Sequence, residues 1–134
     1  MINPVPFRFR LDNSTGVPVY RQLIDQVLLA IASGALAGGV QLPTVRQVAV
    51  DLAINPNTVM RAYREMEIRG MLTTQQGLGT FVTLSSVKED EAQRQARLSR
   101  LAAECASKAG AEGFSVQDLA MRLSELAAGD GCGS

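Results

Sequence analysis

Residues Leu42 to Arg69, LPTVRQVAVDLAINPNTVMRAYREMEIR, decide the fold. Pro43 biases Leu42 toward an extended conformation. Thr44 with Gln47 three residues later forms a T-x-x-Q capping box, which satisfies two free backbone N–H groups at a helix start. Val45, Val48, Ala49 and Leu52 then recur at i, i+3, i+4 and i+7, the period of a helix with one buried stripe. Arg46 and Gln47 fall off that stripe. Ile54 is placed to pin a tight turn to the core. Asn55-Pro56 starts a second helix, with Asn as N-cap and Pro at the first helical position, where no N–H is needed. Val59, Ala62, Tyr63 and Met66 form its stripe, while Asn57, Thr58, Arg61 and Arg64 face elsewhere.

Two short helices joined by a turn, the second polar toward its N-terminal end, suit the major groove of DNA. In a helix-turn-helix the N-terminal residues of the recognition helix reach the base edges. The positive end of the helix dipole also favours a phosphate nearby. No acid occupies the first two turns of the second helix, whereas an ordinary solvated face would more often carry Glu there. Arg46 has two readings: a solvated surface arginine, or a side chain that reaches the DNA beside the second helix.

Gly70 suits the residue just past a helix end. Met71–Thr74 and Thr80–Leu84 are short β-prone runs, and Gln75-Gln76-Gly77-Leu78-Gly79 lies between them as a turn. Helix, turn, helix, then a two-stranded hairpin is the winged-helix order. Gly77 and Gly79 read as hairpin-turn glycines. They also form a tip whose backbone could approach a sugar-phosphate edge or a minor groove.

The blocks VPVYRQLIDQVLLAIASG, LPTVRQVA, NPNTVMRAYREME and RGMLTTQQGLGTFV closely resemble the DNA-binding domain of GntR-family bacterial transcription regulators. The NPNTVMRAYREME form is similar to the short YtrA-like branch. The resemblance runs from Val17 to Val82, with its blocks in order and correctly spaced. It implies that Arg46 contacts a base, guanine by preference, and that Asn57, Thr58 and Arg61 read bases or phosphates. Gln76 to Gly79 would be the wing tip. The expected DNA-contacting set is Thr44, Arg46, Asn55, Asn57, Thr58, Arg61, Arg64, Gln76, Gly77 and Gly79. Two residues depart from the pattern. Ala53 stands where the family usually has Gly; if that position is left-handed, Ala costs roughly 1 kcal/mol. The wing, often basic in relatives, carries no charge from Met71 to Ser86.

The chain has 134 residues, room for one domain and an appendage. With 4% aromatic residues and no Trp, its core must be aliphatic and rich in Ala. No apolar run is long enough to span a bilayer, so no membrane partner is expected. The N-terminus lacks a basic-then-apolar signal, so a cytoplasmic location is expected. Cys105 falls in a helical pattern and reads as a small buried hydrophobe; Cys132 lies in the Gly-rich tail Gly129–Ser134. With two cysteines and no His, neither a disulfide framework nor a zinc site is expected. The formal net charge is zero, yet residues 1–70 hold seven Arg against five acids and residues 71–134 six bases against eight acids. The first half is therefore the DNA-facing one, and all its bases are Arg, the side chain suited to bidentate contact with guanine or phosphate. The absence of His removes Ser–His and Cys–His pairs, and no P-loop or GxGxxG is present, so no enzyme and no cofactor are expected.

Upstream, Phe7–Asp12 alternates apolar and polar residues like a strand and reads as an ordered arm, followed by a turn at Asn13–Gly16. DNA contact by the arm through Arg8 and Arg10 is the second reading. Pro18 opens a support helix at or near its first position, with Leu23, Ile24, Val27, Leu28 and Ile31 as its stripe and Gly34 as its end. Tyr20 reads as a packing residue, with a phosphate contact by Tyr20 and Arg21 the alternative. Residues 35–41 read as a connecting loop.

Past the wing, Ser85 or Ser86 can cap a helix that runs to about Ala109, with Leu98, Leu101, Ala102 and Cys105 on one face. Arg94, Arg97 and Arg100 lie on its other faces and read as a solvated surface, with a DNA patch the alternative. Gly110 and Gly113 break it. Ser115 with Asp118 caps a last helix striped by Leu119, Ala120, Leu123, Leu126 and Ala127. Two such stripes cannot bury each other well alone, and the simplest partner is a second copy.

The reading is a mainly α protein with a small β-hairpin: an arm (1–16), a winged helix-turn-helix DNA-binding domain (17–84), a helical dimerisation hairpin (85–128) and a flexible tail (129–134). Dimer contacts are expected from Leu98, Leu101, Cys105, Leu119, Leu123 and Leu126. The function expected is a homodimeric repressor on double-stranded DNA with a two-fold operator. A small-molecule effector could lodge between tail helices and wing domain. The competing reading is a winged-helix docking module for protein partners.

Overall fold

The computed structural model describes residues 7–83 and 90–128. The chain divides into two compact units, Met1–Ser85 and Ser86–Ser134.

The first unit contains α1 (Val19–Ser33), α2 (Val45–Leu52), α3 (Pro56–Ile68) and the antiparallel strands β1 (Leu72–Gln75) and β2 (Gly79–Val82). Pro18 is the N-cap of α1 rather than its first helical residue. Leu23, Ile24 and Val27 are buried, as their period predicts, joined by Ala30; Leu28 and Ile31 pack at the margin of the core. Thr44 and Gln47 form the capping box of α2, with Gln47 N–H donating to Thr44 Oγ1 at 3.1 Å and Thr44 N–H to Gln47 Oε1 at 3.3 Å. Asn55 caps α3 by accepting from Asn57 N–H at 2.8 Å, and Pro56 takes the first helical position. Val59, Ala62, Tyr63 and Met66 are all buried against α1 and α2. The Tyr63 hydroxyl is buried with its ring and donates to the Pro43 carbonyl at 2.6 Å, tying α3 to the entry of α2.

Three helices end with the same pair of backbone bonds, the Schellman arrangement that satisfies otherwise free carbonyls. Ile54 N–H reaches Ala49 O and Ala53 N–H reaches Val50 O; Met71 and Gly70 bond to Met66 and Glu67; Phe114 and Gly113 bond to Ala109 and Gly110. The left-handed residue is Gly70 (φ 80°) in one case and Gly113 (φ 88°) in another, but it is Ala53 (φ 54°, ψ 47°) at the end of α2.

The loop after α1 is more than a connection. Leu36 is buried, and the segment 39–42 pairs with β2 through Gly39 N–H to Val82 O, Val82 N–H to Val40 O and Leu42 N–H to Thr80 O, at 2.8 to 2.9 Å. The wing therefore has a third, short partner on its inner edge, bridged at Gln41 and Phe81. Both strands are shifted from the expected bounds by about one residue. Leu84, placed in the second run, lies outside the described residues, as do Ser85 and Ser86.

The arm packs as expected but forms no strand. Phe9 is buried against Tyr63, with Phe7 edge-on to it at 4.9 Å. Its backbone is satisfied by side chains of α1 instead of by a neighbouring strand. Arg10 N–H donates to Gln26 Oε1 at 2.8 Å and Asp12 N–H to Gln22 Oε1 at 2.9 Å, while the two amide groups donate back to Arg10 O and Asp12 O. Asp12 then accepts from the Ser14 N–H and hydroxyl, which hold its carboxyl below the usual range.

The second unit contains α4 (Glu91–Ala111) and α5 (Val116–Ala127). Asp90, not a serine, caps α4 by accepting from Ala92 N–H. Gly110 sits inside α4 because its φ is ordinary; the break comes at Gly113, the residue that is left-handed. Ser115 and Asp118 form the capping box of α5. Cys105 is exposed, not buried: neither helix of this unit buries a residue within the single chain.

Candidate nucleic-acid interface

α3 separates its residues sharply. With Val59, Ala62, Tyr63 and Met66 inside, a rotation of about 100° per residue leaves Asn57, Arg61 and Arg64 outside, at i, i+4 and i+7. All three are exposed. They border an open groove of about 420 Å³ with Met60, Glu65 and Ile68. Thr58 is half-buried instead of fully outward, because it lies one turn before Ala62 at the edge of the buried stripe. Asn55 is exposed, but its carbonyl oxygen is engaged as the cap, so only its NH₂ is left to donate. Thr44 is in the same position: its oxygen accepts from Gln47 while its O–H can still donate outward.

Arg46, the second residue of α2, is exposed. Arg61 lies with its guanidinium carbon 3.8 Å from the centroid of the Tyr20 ring, which projects from α1. Tyr20 is half-buried against the core, so the packing reading holds, and it has a second use that its sequence did not signal. Arg69 is paired with Glu65 at 3.0 Å, an exposed i, i+4 pair that contributes little to stability.

In the wing, Leu72 pairs with Val82 in register and both are buried, anchoring the hairpin base. Thr73 and Thr83 hydroxyls meet at 3.0 Å and those of Thr74 and Thr80 at 3.3 Å, a ladder of neutral polar groups. The turn is Gln76-Gly77-Leu78, closed by Leu78 N–H to Gln75 O. Gly77 has φ 82° in open space and is a turn glycine as expected. Gly79 is not one: it lies in β2 opposite Gln75. A Cβ there would come within 2.5 Å of Gln41 Nε2, which donates to Leu78 O at 3.0 Å. The flexible end of the exposed Gln41 side chain could move aside from such a Cβ; what requires glycine at position 79 is its φ of 127°.

Of the residues expected at a dimer contact, Leu98, Leu101, Cys105 and Leu123 are exposed on α4 and α5, with Leu119 and Leu126 half-buried. Among the described residues, no group of three or more His, Cys, Asp or Glu could hold a metal ion, and no helix is long and apolar enough to cross a membrane.

This geometry has relatives. Residues 19–82 match the family model described as bacterial regulatory proteins, gntR family. The chain is 39% identical over 83 residues to the uncharacterised HTH-type transcriptional regulator YhcF of Bacillus subtilis, covering 60% of this chain and 69% of that protein. It is 36% identical over 74 residues to the HTH-type transcriptional repressor YtrA of the same organism, covering 55% of this chain and 57% of the repressor. Among solved structures it is similar to YtrA from Sulfolobus acidocaldarius, a GntR-family transcription factor, with a TM-score of 0.53, 29% identity, and 72% and 97% of the two chains covered. The polar outer row of α3, the hairpin behind it and these likenesses converge: the chain belongs to the GntR family of bacterial regulatory proteins, a helix-turn-helix transcription regulator with a winged DNA-binding domain.

Proposed function

We propose that the chain acts as a homodimeric repressor on a two-fold operator, with α3 in the major groove and the wing against the neighbouring sugar-phosphate edge. The observation that carries this reading is the exposed row Asn57, Arg61 and Arg64 on α3, free of acids over its first two turns. Arg46 and Arg61 read bases, Asn57 and Thr58 read bases or phosphates, and Arg64 serves a phosphate. Thr44 and Asn55 donate from caps that already fix their orientation, as phosphate-positioning groups do. Gln76 and Gly77 form the wing tip. Gly79, next to the turn in β2, stays in the contacting set through its backbone.

The apolar faces of α4 and α5 support self-association, with Leu98, Leu101, Cys105, Leu119, Leu123 and Leu126 in the contact. Two copies would then place their α3 helices about one DNA turn apart, roughly 34 Å, on a two-fold site. A small-molecule effector would work by changing that distance. The repressor sense follows the likeness to the Bacillus transcriptional repressor YtrA.

Titration against the chain's own promoter region tests the reading. Binding at least about a thousandfold tighter than to random duplex at physiological salt is expected; equal affinity for both would end it. A docking module for protein partners is the second reading. It is favoured by the uncharged wing and by Leu78, 66% exposed at its tip. Recovery of a protein partner together with a failure to discriminate promoter DNA would select it.

A further inference from the structure

We infer that Tyr20 is a positioning residue for sequence reading: its ring holds the Arg61 guanidinium in the pose from which Arg61 meets a base edge. This rests on the reading of α3 as the recognition helix and deepens it.

Arg61 and Tyr20 come from different helices, and the guanidinium carbon stands 3.8 Å from the ring centroid. A cation over a π face is held by the ring's quadrupole. The guanidinium carbon lies over the ring, and the N–H donors that face away from it can still meet a bidentate acceptor pair. The platform is itself braced, because Tyr20 packs against the core through its inner side.

The neighbouring arginines lack this device. Arg64 reaches the Met60 sulfur at 3.8 Å, and Arg69 is bound to Glu65. The second of these contacts also matters for Arg61. Glu65 stands four residues after Arg61 on α3, the usual distance for an ion pair, and Arg69 occupies it. With Glu65 engaged by Arg69, Arg61 rests instead on the uncharged Tyr20 ring. Immobilising a long side chain before binding removes part of the ordering cost that association otherwise carries. A purely packing role for Tyr20 would be met equally well by an aliphatic side chain of similar size. Only the stacked guanidinium demands an aromatic ring.

The experiment uses the full chain and a duplex selected by the wild-type protein from a randomised pool, together with its single-base-pair variants. Competition binding is measured for Tyr20→Leu and Tyr20→Phe, each with Arg61 intact and in the Arg61→Ala background. Thermal melting checks that each variant is folded. Tyr20→Leu is expected to weaken binding to the selected duplex between about threefold and thirtyfold. It should flatten discrimination at the same base pair that Arg61→Ala flattens. Tyr20→Phe should keep wild-type discrimination, and Tyr20→Leu should add nothing once Arg61 is Ala. Three results would overturn the inference alone while Arg61→Ala loses discrimination. They are full activity in Tyr20→Leu, an equal loss in Tyr20→Phe, and an undiminished Tyr20→Leu effect in the Arg61→Ala background. If Arg61→Ala reads every base pair as the wild type does, the base-reading role of Arg61 falls, and this inference with it.

Discussion

In the first unit Leu23, Ile24, Val27, Val59 and Met66 lose all measurable contact with water, whereas α4 and α5 bury nothing within the single chain. Both regions have comparable sequence ingredients: capped helices with apolar stripes at i, i+3, i+4 and i+7. The difference is the number of elements that can converge. Three helices, a hairpin, a loop and the arm enclose a common core in the first unit, while two helices alone leave Leu101 56% and Leu123 50% exposed. Amphipathic patterning specifies which face must be covered, but not by what. A fully buried Leu gains about 1.5–3 kcal/mol over an exposed one, so the second unit forgoes in the monomer what the first one realises.

That contrast can be broken most directly in the first core. Met66→Ala should cost about 2–5 kcal/mol of unfolding free energy. If the first unit is self-sufficient, urea titrations should show that loss unchanged over a hundredfold range of protein concentration. Leu101→Asp and Leu123→Asp should act in the opposite way. They should leave the first unit's melting nearly untouched and convert the assembly to monomers in sedimentation velocity; an unaltered sedimentation coefficient would place the dimer contact elsewhere.

Function should follow the first unit. Arg46→Ala and Arg61→Ala should each lose about 1–3 kcal/mol of specific binding, with relaxed preference at one base pair. Competition assays with substituted duplexes read this out, and unchanged discrimination in both would refute the assignment. Because the wing carries no charge, it should add almost nothing to the salt slope of binding; the slope should instead fall by about one when a phosphate-contacting Arg64 is made Ala.

Smaller effects sharpen the picture inside the first unit. Tyr63→Phe removes the hydrogen bond to the Pro43 carbonyl and should cost about 1 kcal/mol. Burial pushes the Tyr63 phenol well above its ordinary value of 10.0. Its contribution is therefore complete below pH 10 and declines as pH rises past the unfolded-state value. Chemical unfolding followed from pH 8 to 11 should show an alkaline loss that Tyr63→Phe reduces. Ala53→Gly should raise stability by about 1 kcal/mol, since Ala53 alone among the three matching helix ends carries a Cβ in the left-handed region. A lower melting midpoint for Ala53→Gly would show that the Ala methyl makes compensating contacts.

What could be read from the chain without coordinates was local. The stripe of α3, the start at Asn55-Pro56, the capping boxes at Thr44 and Ser115 and the end at Gly70 follow from helix period and from backbone groups satisfied within a few residues. So does the outward placement of Asn57, Arg61 and Arg64. The sequence does not single out Asp90 as a cap or Gly110 as helical, because several residues nearby offer comparable signals and geometry chooses among them. Only tertiary structure could decide the pairing of residues 39–42 with β2, the clasp of Gln22 and Gln26 on the arm, the bond from Gln41 to the Leu78 carbonyl and the placement of Arg61 on Tyr20. Each joins residues ten to about forty positions apart. Such contacts have no periodicity, since they form only when separately folded elements meet and their side chains compete for the same space.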